Sequence, residues 1–202
     1  MKIIPFYFYN GECNTYAVTE DGRNCILIDC GSPAVYGECI AVGLTPRAVL
    51  LTHGHLDHIA GCETLSKNGA QICCGEGEET FVFSDGNKSI FGVDLPDFKI
   101  DRTFKDGEKL KLCGLEIEVI KTAGHTVGGV SYLIGGTLFT GDTLFCGSIG
   151  RSDFPTGNFA ELIESVKKLY AMNLPDDCKV YSGHGEPTTL GHERRFNAFV
   201  RT

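Results

Sequence analysis

Three histidines and an aspartate fall within six consecutive positions of this 202-residue chain, in the alternating pattern His53-x-His55-x-Asp57-His58. Imidazole nitrogen and carboxylate oxygen are the atoms with which proteins bind zinc and similar divalent metals. Alternate residues of an extended segment face the same side, so His53 and His55 can point to one ion. Asp57 and His58 are adjacent on the turn that follows and aim at a neighbouring position. The segment therefore predicts one loop that contributes to two metal sites.

Two histidines cannot complete a metal shell, so further ligands are expected from other segments. Three later segments share one pattern, in which an apolar strand is followed by glycine and then by His125, Asp142 or His184. Glycine lets the backbone turn sharply and come close to a small buried site. The sixth histidine, His192, lies in what we expect to be a surface helix and is left out. We interpret seven residues as metal ligands: His53, His55, Asp57, His58, His125, Asp142 and His184.

The elements that must position these residues are mainly strands. Helical periodicity is clearest over 158–170 and weaker over 34–42, 59–68 and 191–199. Residues 83–104 show no clear period and predict a long surface loop, which can border an active site. Strand-rich halves that each carry helices predict an α/β sandwich with helices outside two sheets. Ten short apolar or β-branched runs predict the strands: 2–9, 15–19, 25–29, 48–52, 71–74, 109–112, 115–121, 130–134, 137–140 and 179–182.

Composition narrows the class of protein. A chain of this length fits one domain, and we expect a single domain over 1–202. The net charge of −8 and the absence of a basic stripe argue against a nucleic-acid partner. No segment resembles a membrane span, and the N-terminal run is more typical of a strand than of a signal peptide. Ten cysteines without a C-x-x-C pair favour buried, reduced thiols, and hence a cytoplasmic protein. We expect a monomer or a homodimer.

The segments THGHLDH, AGHT, TGDT and SGHG, in this order, resemble the metallo-β-lactamase superfamily, and the resemblance covers most of the chain. Within that superfamily, 147–154 (GSIGRSDF) and 193–197 (ERRFN) are similar to the small glyoxalase II-like hydrolases. The resemblance implies an αββα sandwich with two divalent metal ions, with zinc expected and iron or manganese as alternatives. It assigns His53, His55 and His125 to the first metal, Asp57, His58 and His184 to the second, and Asp142 to both. Histidine at position 55, instead of glutamate, argues against the di-iron flavoprotein branch.

Two adjacent metals lower the pKa of a shared water toward about 7 and so supply hydroxide to attack a carbonyl carbon. Asp57 is placed to orient this nucleophile as well as to bind metal. A departing thiolate has a conjugate acid of pKa about 8.5 and needs little help from a general acid, whereas an amide nitrogen needs much more. The expected substrate is therefore a small-molecule thioester, such as S-D-lactoylglutathione or a related acyl thiol.

Arg151 is the one candidate for substrate binding outside the metal ligands. Glyoxalase II enzymes carry a basic residue in a comparable glycine-rich loop, where it binds the glutathione carboxylate, and a guanidinium can bind a carboxylate through two hydrogen bonds. The alternative is that Arg151 pairs with Asp153 and only shapes the loop. Larger glyoxalase II enzymes add a C-terminal helical domain. Because only residues 185–202 follow His184, no such separate domain is expected here.

Two other functions remain open at this point. Persulfide dioxygenases resemble the same family and use a single iron with two histidines and a carboxylate, a set that His53, His125 and Asp142 can supply. A protein that keeps metals only for folding is disfavoured. A structural zinc ion has four protein ligands with no open position, and it does not share a bridging ligand with a second ion. Relatives that act on lactones, β-lactams or RNA share the same ligands, and the short Gly-Arg-Ser-Asp-Phe segment disfavours them.

Overall fold

The first of two six-stranded sheets holds the N-terminal half of the chain in this computed structural model, which describes residues 1–7 and 12–201. The pairings β1–β2 and β2–β3 are antiparallel, and the remaining pairings are parallel. The carboxyl ends of the parallel strands therefore lie at one edge. The strands lie side by side in chain order: β1 (Lys2–Phe6), β2 (Thr15–Thr19), β3 (Asn24–Ile28), β4 (Thr45–Leu50), β5 (Gln71–Gly75) and β6 (Arg102–Phe104).

The second sheet has the order β7-β8-β9-β10-β13-β14, and a separate small hairpin pairs β11 with β12. These strands are β7 (Lys109–Leu112), β8 (Leu115–Lys121), β9 (Val130–Ile134), β10 (Thr137–Gly141), β11 (Leu144–Phe145), β12 (Ser148–Ile149), β13 (Lys179–Ser182) and β14 (Thr188–Thr189). β8 and β10 are both antiparallel to β9, which lies between them, and β13 is parallel to β10. β8, β10 and β13 consequently end at the same edge of this sheet.

Helices cover the outer faces of both sheets. The longest one, α6, begins after Asn158, whose side chain accepts a hydrogen bond from the Glu161 N–H, and it buries Leu162, Val166 and Leu169 at helical spacing. Among the described residues, no helix is long and apolar enough to cross a membrane. The helices are α1 (Val35–Ala41), α2 (Leu56–Ile59), α3 (Cys62–Lys67), α4 (Glu78–Val82), α5 (Asp85–Phe91), α6 (Phe159–Ala171) and α7 (Leu190–Phe196).

Three apolar layers result from this arrangement, and they confirm the predicted αββα sandwich. Side chains of both sheets meet in the central layer, helices α1 and α3 pack on the first sheet, and α6 and α7 pack on the second. Strand β3 illustrates the pattern, because Ile26 faces the central layer while Leu27 faces the helices and both are fully buried. A strand covered on both faces is apolar on both, as this one is from Cys25 to Ile28. Eight of the ten cysteines are buried, and seven of these eight lie in the three layers.

Two buried tyrosines connect the sheets close to the edge where the parallel strands end. The Tyr16 hydroxyl of β2 donates to the Ser182 carbonyl at the end of β13, over 2.7 Å. The Tyr132 hydroxyl of β9 donates to the Leu51 carbonyl just after β4, also over 2.7 Å. A buried hydroxyl needs a partner, so each pair fixes one strand end of one sheet relative to the other sheet.

The structure corrects two of the predicted elements. The predicted loop over 83–104 is wrong in part, because this segment contains helix α5 and strand β6, with regular structure missing only between them. The predicted helix over 59–68 is broken into α2 and α3 at Gly61, whose backbone N–H donates to the Cys30 carbonyl. The predicted first strand extends to position 9, and its last two positions, 8 and 9, lie outside the described residues.

Burial on both faces of β3 leads to a stability prediction. Ile26→Ala and Leu27→Ala should each lower the free energy of unfolding by about 2–5 kcal/mol, because each leaves a cavity in a different layer. Urea unfolding of both variants measures this. Ile40→Ala, on the exposed side of α1 at 48% exposure, is the control and should change stability by less than about 0.5 kcal/mol. A large loss for only one of the two strand variants would contradict burial on both faces.

Candidate metal centre

The structure brings all seven predicted donor residues together at the edge where the strands of both sheets end. Each donor follows a strand or lies on the short helix after it. Because several strands from two sheets end here, loops that are far apart in sequence converge on one place. The positions are His53 and His55 after β4, Asp57 and His58 in α2, His125 after β8, Asp142 directly after β10, and His184 after β13.

Three imidazoles form the first donor set. The Nε2 atom of His125 lies 3.2 Å from Nε2 of His53 and 2.9 Å from Nδ1 of His55. Nitrogen ligands at 2.0–2.1 Å from one tetrahedral ion lie about 3.3 Å apart. The three nitrogens are thus spaced as ligands of a single ion would be, and the set fits a metal.

The second donor set lies beside the first, and Asp142 faces both. The Nε2 atom of His184 is 3.1 Å from Oδ2 of Asp57, and Nε2 of His58 is 3.8 Å from the same oxygen. Asp142 Oδ1 lies 3.3 Å from His58 Nε2, and its Oδ2 lies 3.6 Å from Nε2 of both His125 and His184. A carboxylate in this position fits the bridging role that the resemblance implies for it.

Three buried atoms of these sets lack a hydrogen-bond partner among the described residues, and one of them is Nε2 of His55. The other two, Nε2 of His58 and Oδ1 of Asp142, face each other. Buried polar atoms are nearly always satisfied by a protein group, an ordered water or an ion. A cation between them would satisfy both, so the unpaired atoms support the fit of a metal to this site.

The electrostatics of His53 and Asp142 agree with this fit. Burial lowers the pKa of His53 well below its usual value, and the neighbouring imidazoles lower it further. Burial acts to raise the pKa of Asp142, but the surrounding imidazoles hold it well below its usual range. Burial also opposes charge on His58, yet the Cys13 sulfur and the nearby carboxylates raise its pKa well above the usual value, so His58 carries a proton that a metal ion would displace. His53 is therefore neutral and Asp142 ionised, the forms that bind metal.

Hydrogen bonds to the other ring nitrogen fix the tautomers of three histidines. His125 Nδ1 lies 2.6 Å from the Arg151 carbonyl oxygen, which can only accept, so Nδ1 carries the proton. His58 Nδ1 donates in the same way to the Asp29 carboxylate over 2.8 Å. The Thr52 hydroxyl donates to Asp29 over 2.8 Å and so accepts from His53 Nδ1, 3.1 Å away. All three rings consequently direct Nε2, the atom that a metal can bind, into the site.

Asp29 is a functional residue that the sequence analysis missed. Its carboxylate orients His58 directly and His53 through Thr52, and it also accepts the Thr52 backbone N–H over 2.7 Å. The residue directly follows β3 in a left-handed conformation, with φ 57°, which aspartate adopts more readily than most residues. Its position after a strand matches the pattern of the metal donors, and that signal could have identified it.

Two glycines allow the loops to come this close. Gly141 has φ 49°, and a Cβ there would overlap the Thr52 side chain. A Cβ at Gly183 would overlap Oδ1 of Asp142 and lie 2.6 Å from the His58 ring. A side chain at Gly183 would displace a metal donor, and one at Gly141 would displace Thr52, the hydrogen-bond partner of His53, which explains the glycine before Asp142 and the glycine before His184.

Residues 9–184 match the Metallo-beta-lactamase superfamily. The chain belongs to this superfamily. The Haemophilus influenzae protein named hydroxyacylglutathione hydrolase GloC is 35% identical over 212 aligned residues, which cover 100% of this chain and 98% of that protein. Among solved structures, the BLEG-1 B3 metallo-beta-lactamase is 28% identical with a TM-score of 0.91, and all of both chains is covered. TTHA1623, solved in a di-iron-bound form, is 31% identical with a TM-score of 0.84, and 98% of this chain and 100% of that chain are covered.

A pocket of about 480 Å³ opens over the donor sets of this superfamily member. Apart from metal donors, its walls are mainly apolar. The Phe154 ring lies edge-on to His55 at 5.3 Å between centroids, and the Phe145 ring lies near His184 at 6.3 Å. The remaining side chains of the pocket wall are Phe91, Ser148, Ile149 and Arg151. A small molecule with an apolar portion can therefore lie beside the metal donors.

Arg151 lines this pocket and is paired with Asp153, which is the alternative contact considered from the sequence. Its Nε and Nη2 atoms each donate to Asp153 over 2.7 Å, and the guanidinium lies 3.9 Å from the centroid of the Phe154 ring. The pairing holds the pKa of Asp153 at about 2. Both charged side chains are more than half exposed, at 57% and 67%. His192, excluded from the site, is exposed on α7 as expected.

The role of Asp29 leads to a metal-binding prediction. Asp29→Asn should lower the affinity for metal about 10-fold to 100-fold, because an amide cannot accept all three hydrogen bonds that orient His53 and His58. Competition with a chromophoric chelator measures this affinity. Asp177→Asn is the control, because Asp177 is exposed at the opposite end of β13. An unchanged metal affinity in the Asp29 variant would show that the hydrogen bonds of Asp29 do not orient His53 and His58 for metal binding.

Proposed function

We propose that this protein is a binuclear metal-dependent hydrolase that cleaves a thioester, such as S-D-lactoylglutathione or a related acyl thiol. Two donor sets that share Asp142 support two metal ions, and mixed imidazole and carboxylate donors suit zinc, iron or manganese. The match to GloC over the full length of both chains supports an acyl thiol as substrate. In this proposal, His53, His55 and His125 bind one metal, Asp57, His58 and His184 bind the other, and Asp142 binds both.

The pocket wall is the observation that carries the thioester proposal. Among its described residues outside the metal donors, only Ser148 and Arg151 are polar. A serine hydroxyl is too weak an acid to protonate a departing amine, and a guanidinium does not deprotonate in proteins. An amide nitrogen cannot leave without a proton, whereas a thiolate with a conjugate acid of pKa about 8.5 can. The pocket is thus better suited to a thioester than to an amide.

The protein side chains contribute positioning and proton handling. Bound divalent metals supply Lewis acidity, which activates water at neutral pH and polarises a carbonyl group. Asp57 faces the pocket, and we assign it the additional catalytic role of orienting the attacking water and accepting its proton. The aromatic walls exclude bulk water from one side of the reacting carbon, because Phe154 and Phe145 lie against the two donor sets.

Arg151 is proposed to bind a carboxylate of the substrate's thiol portion. It is the one cationic side chain among the described residues of the pocket wall. Its partner Asp153 is exposed, and an exposed ion pair contributes little to stability, so the guanidinium can exchange this carboxylate for that of a substrate. A bidentate geometry of the kind it makes with Asp153 suits any carboxylate.

A mononuclear iron persulfide dioxygenase is the alternative function. It requires one iron, bound here by His53, His125 and Asp142. The convergence of Asp57, His58 and His184 on a second position supplies donors for the second ion that the binuclear hydrolase requires. Because all seven donor residues can persist in either class of enzyme, the number of bound metals and the reaction distinguish the two functions.

Metal analysis and three parallel assays test the proposed function. We expect about two metal ions per chain and release of free thiol from S-D-lactoylglutathione or simpler acyl thioesters. A chelator should abolish thiol release, and added zinc should restore it. A cephalosporin should be hydrolysed much more slowly, because its departing group is an amide nitrogen.

The third assay follows oxygen with glutathione persulfide as substrate. A single iron per chain together with oxygen uptake would contradict the hydrolase and favour the dioxygenase. Two bound metals without hydrolysis of any thioester tested would contradict the thioester and leave the metal centre in place.

The role of Arg151 is tested by a pair of variants. Arg151→Ala should raise KM for the glutathione thioester about tenfold and change kcat little, because it removes a contact made equally before and during reaction. Asp153→Asn should lower KM or leave it unchanged, since it releases the guanidinium. A simple acyl thioester without a carboxylate is the control substrate and should respond to neither variant. Equal rises in KM for both variants would indicate that the pair only shapes the loop.

A further inference from the structure

A buried carboxylate connects the two loops that carry the first donor set. Glu78, the first residue of α4, is fully buried, and its Oε1 accepts the Gly54 N–H over 2.7 Å. Its Oε2 accepts the Thr126 hydroxyl over 2.9 Å and the Gly128 N–H over 2.8 Å. Gly54 lies between two of the proposed ligands, and Thr126 directly follows the third. One side chain therefore contacts both loops through three hydrogen bonds.

The Gly54 peptide is held on its other side as well. The fully buried Asn87 of α5 donates from Nδ2 to the Gly54 carbonyl over 2.6 Å and to the Val82 carbonyl over 2.8 Å. A Cβ added at Gly54 would lie 2.6 Å from the Val82 side chain, so the loop packs directly against α4. At Gly128 an added Cβ would overlap the backbone of Glu78 itself. Backbone contact on both loops leaves the carboxylate no freedom to shift.

Burial of this carboxylate destabilises its charged form. The packing requires only the shape of the side chain and not its charge. Burial raises the pKa of Glu78 to about 7, although three donors act in the opposite direction. No ion pair to Glu78 is present among the described residues. A glutamine of the same shape would fill the space, but its single acceptor oxygen could not satisfy donors from both loops.

We propose that Glu78 is a positioning residue that fixes the separation between the His53-Gly54-His55 loop and the His125 loop. The inference rests on the proposed metal centre and adds a residue that touches neither metal nor substrate. The nitrogens of this donor set come from the two loops and lie within 3.2 Å of one another across the gap. A small shift of either loop would change the metal–nitrogen distances that a single ion requires.

The second donor set offers an internal comparison, because Glu78 makes no hydrogen bond to the loop of His184. Glu78→Gln should therefore weaken binding of one ion about 10-fold to 100-fold and weaken the other much less. Titration of the metal-free protein with Co²⁺ measures both steps, since the visible spectrum of Co²⁺ reports its ligand geometry. In the thioesterase assay, kcat should fall and KM should stay nearly constant.

A matched control is available in Glu193, the other fully buried glutamate. It also accepts three hydrogen bonds, from Gly147 N–H over 2.9 Å, from Asn197 Nδ2 over 2.9 Å and from the Thr188 hydroxyl over 2.7 Å. None of the three residues that donate these hydrogen bonds is next to a proposed metal ligand. Glu193→Gln should lower the thermal stability of the metal-free protein about as much as Glu78→Gln, while both Co²⁺ affinities and the spectrum stay unchanged.

Thr126 provides a second test if the Glu78 variant does not fold. Thr126→Val removes the hydroxyl that donates to Oε2 and keeps the side-chain shape, so it should weaken the same ion severalfold. Thr126→Ser keeps the hydroxyl and should retain the affinity, although it loses a methyl group from a fully buried site.

Two results would overturn the inference. One is a Glu78 variant in which both Co²⁺ steps and the spectrum match the unaltered protein. The other is a loss of affinity at both sites that is equally large in the Glu193 variant, since this would reflect stability alone. If the unaltered protein binds no metal at all, the proposed function fails together with this inference. If it binds metal but the Glu78 variant does not respond as expected, only this inference fails.

Discussion

The close approach of lone pairs where the two sheets end is the constraint on which the rest of this structure depends. The Nε2 atom of His125 lies within 3.2 Å of two other imidazole nitrogens, and lone pairs this close repel unless a proton or a metal ion lies between them. One proton can satisfy only one pair, whereas one cation satisfies all three nitrogens. Asp142 directs its carboxylate oxygens at both donor sets and adds a negative charge that a cation would balance. Every supporting feature of the site keeps these groups close despite their repulsion.

Buried carboxylates supply much of this support, because the donors lie on loops where the backbone hydrogen bonds of the sheets have ended. Asp29 and Glu78 each accept three hydrogen bonds from metal donors or from residues beside them. Glu193 also accepts three hydrogen bonds, one of them from Gly147 in the hairpin that borders the pocket. An ionised carboxylate can accept more hydrogen bonds than any neutral side chain. It can therefore replace a missing strand partner for several loop amides at once. The sandwich fixes the strand ends, and these acceptors fix the loops.

The sequence predicts the αββα layers and the converging donors because both depend on local patterns. Strands such as β8 and β9 have the predicted bounds, since their apolar runs end at clear turn residues. Helix α5 and strand β6 escaped prediction within 83–104. The helix has few apolar positions, and the strand is only three residues long and depends on pairing with β5. The roles of Asp29 and Glu78 escaped it for another reason, because their partners lie 23 to 50 positions away and no short motif joins them.

The pairing of Arg151 with Asp153 bears on how an acidic protein would bind the acidic thiol portion of the proposed substrate. With a net charge of −8, the chain as a whole repels a substrate such as a glutathione thioester, so attraction must come from the site itself. A free guanidinium would attract such a substrate, but in the structure it is paired and stacked on Phe154. The stacking fixes the direction of the guanidinium, while the exposed Asp153 contributes little binding energy of its own. An incoming carboxylate therefore competes with a weak partner for a side chain that is already oriented along the pocket wall, and the exchange costs less than ordering a free arginine.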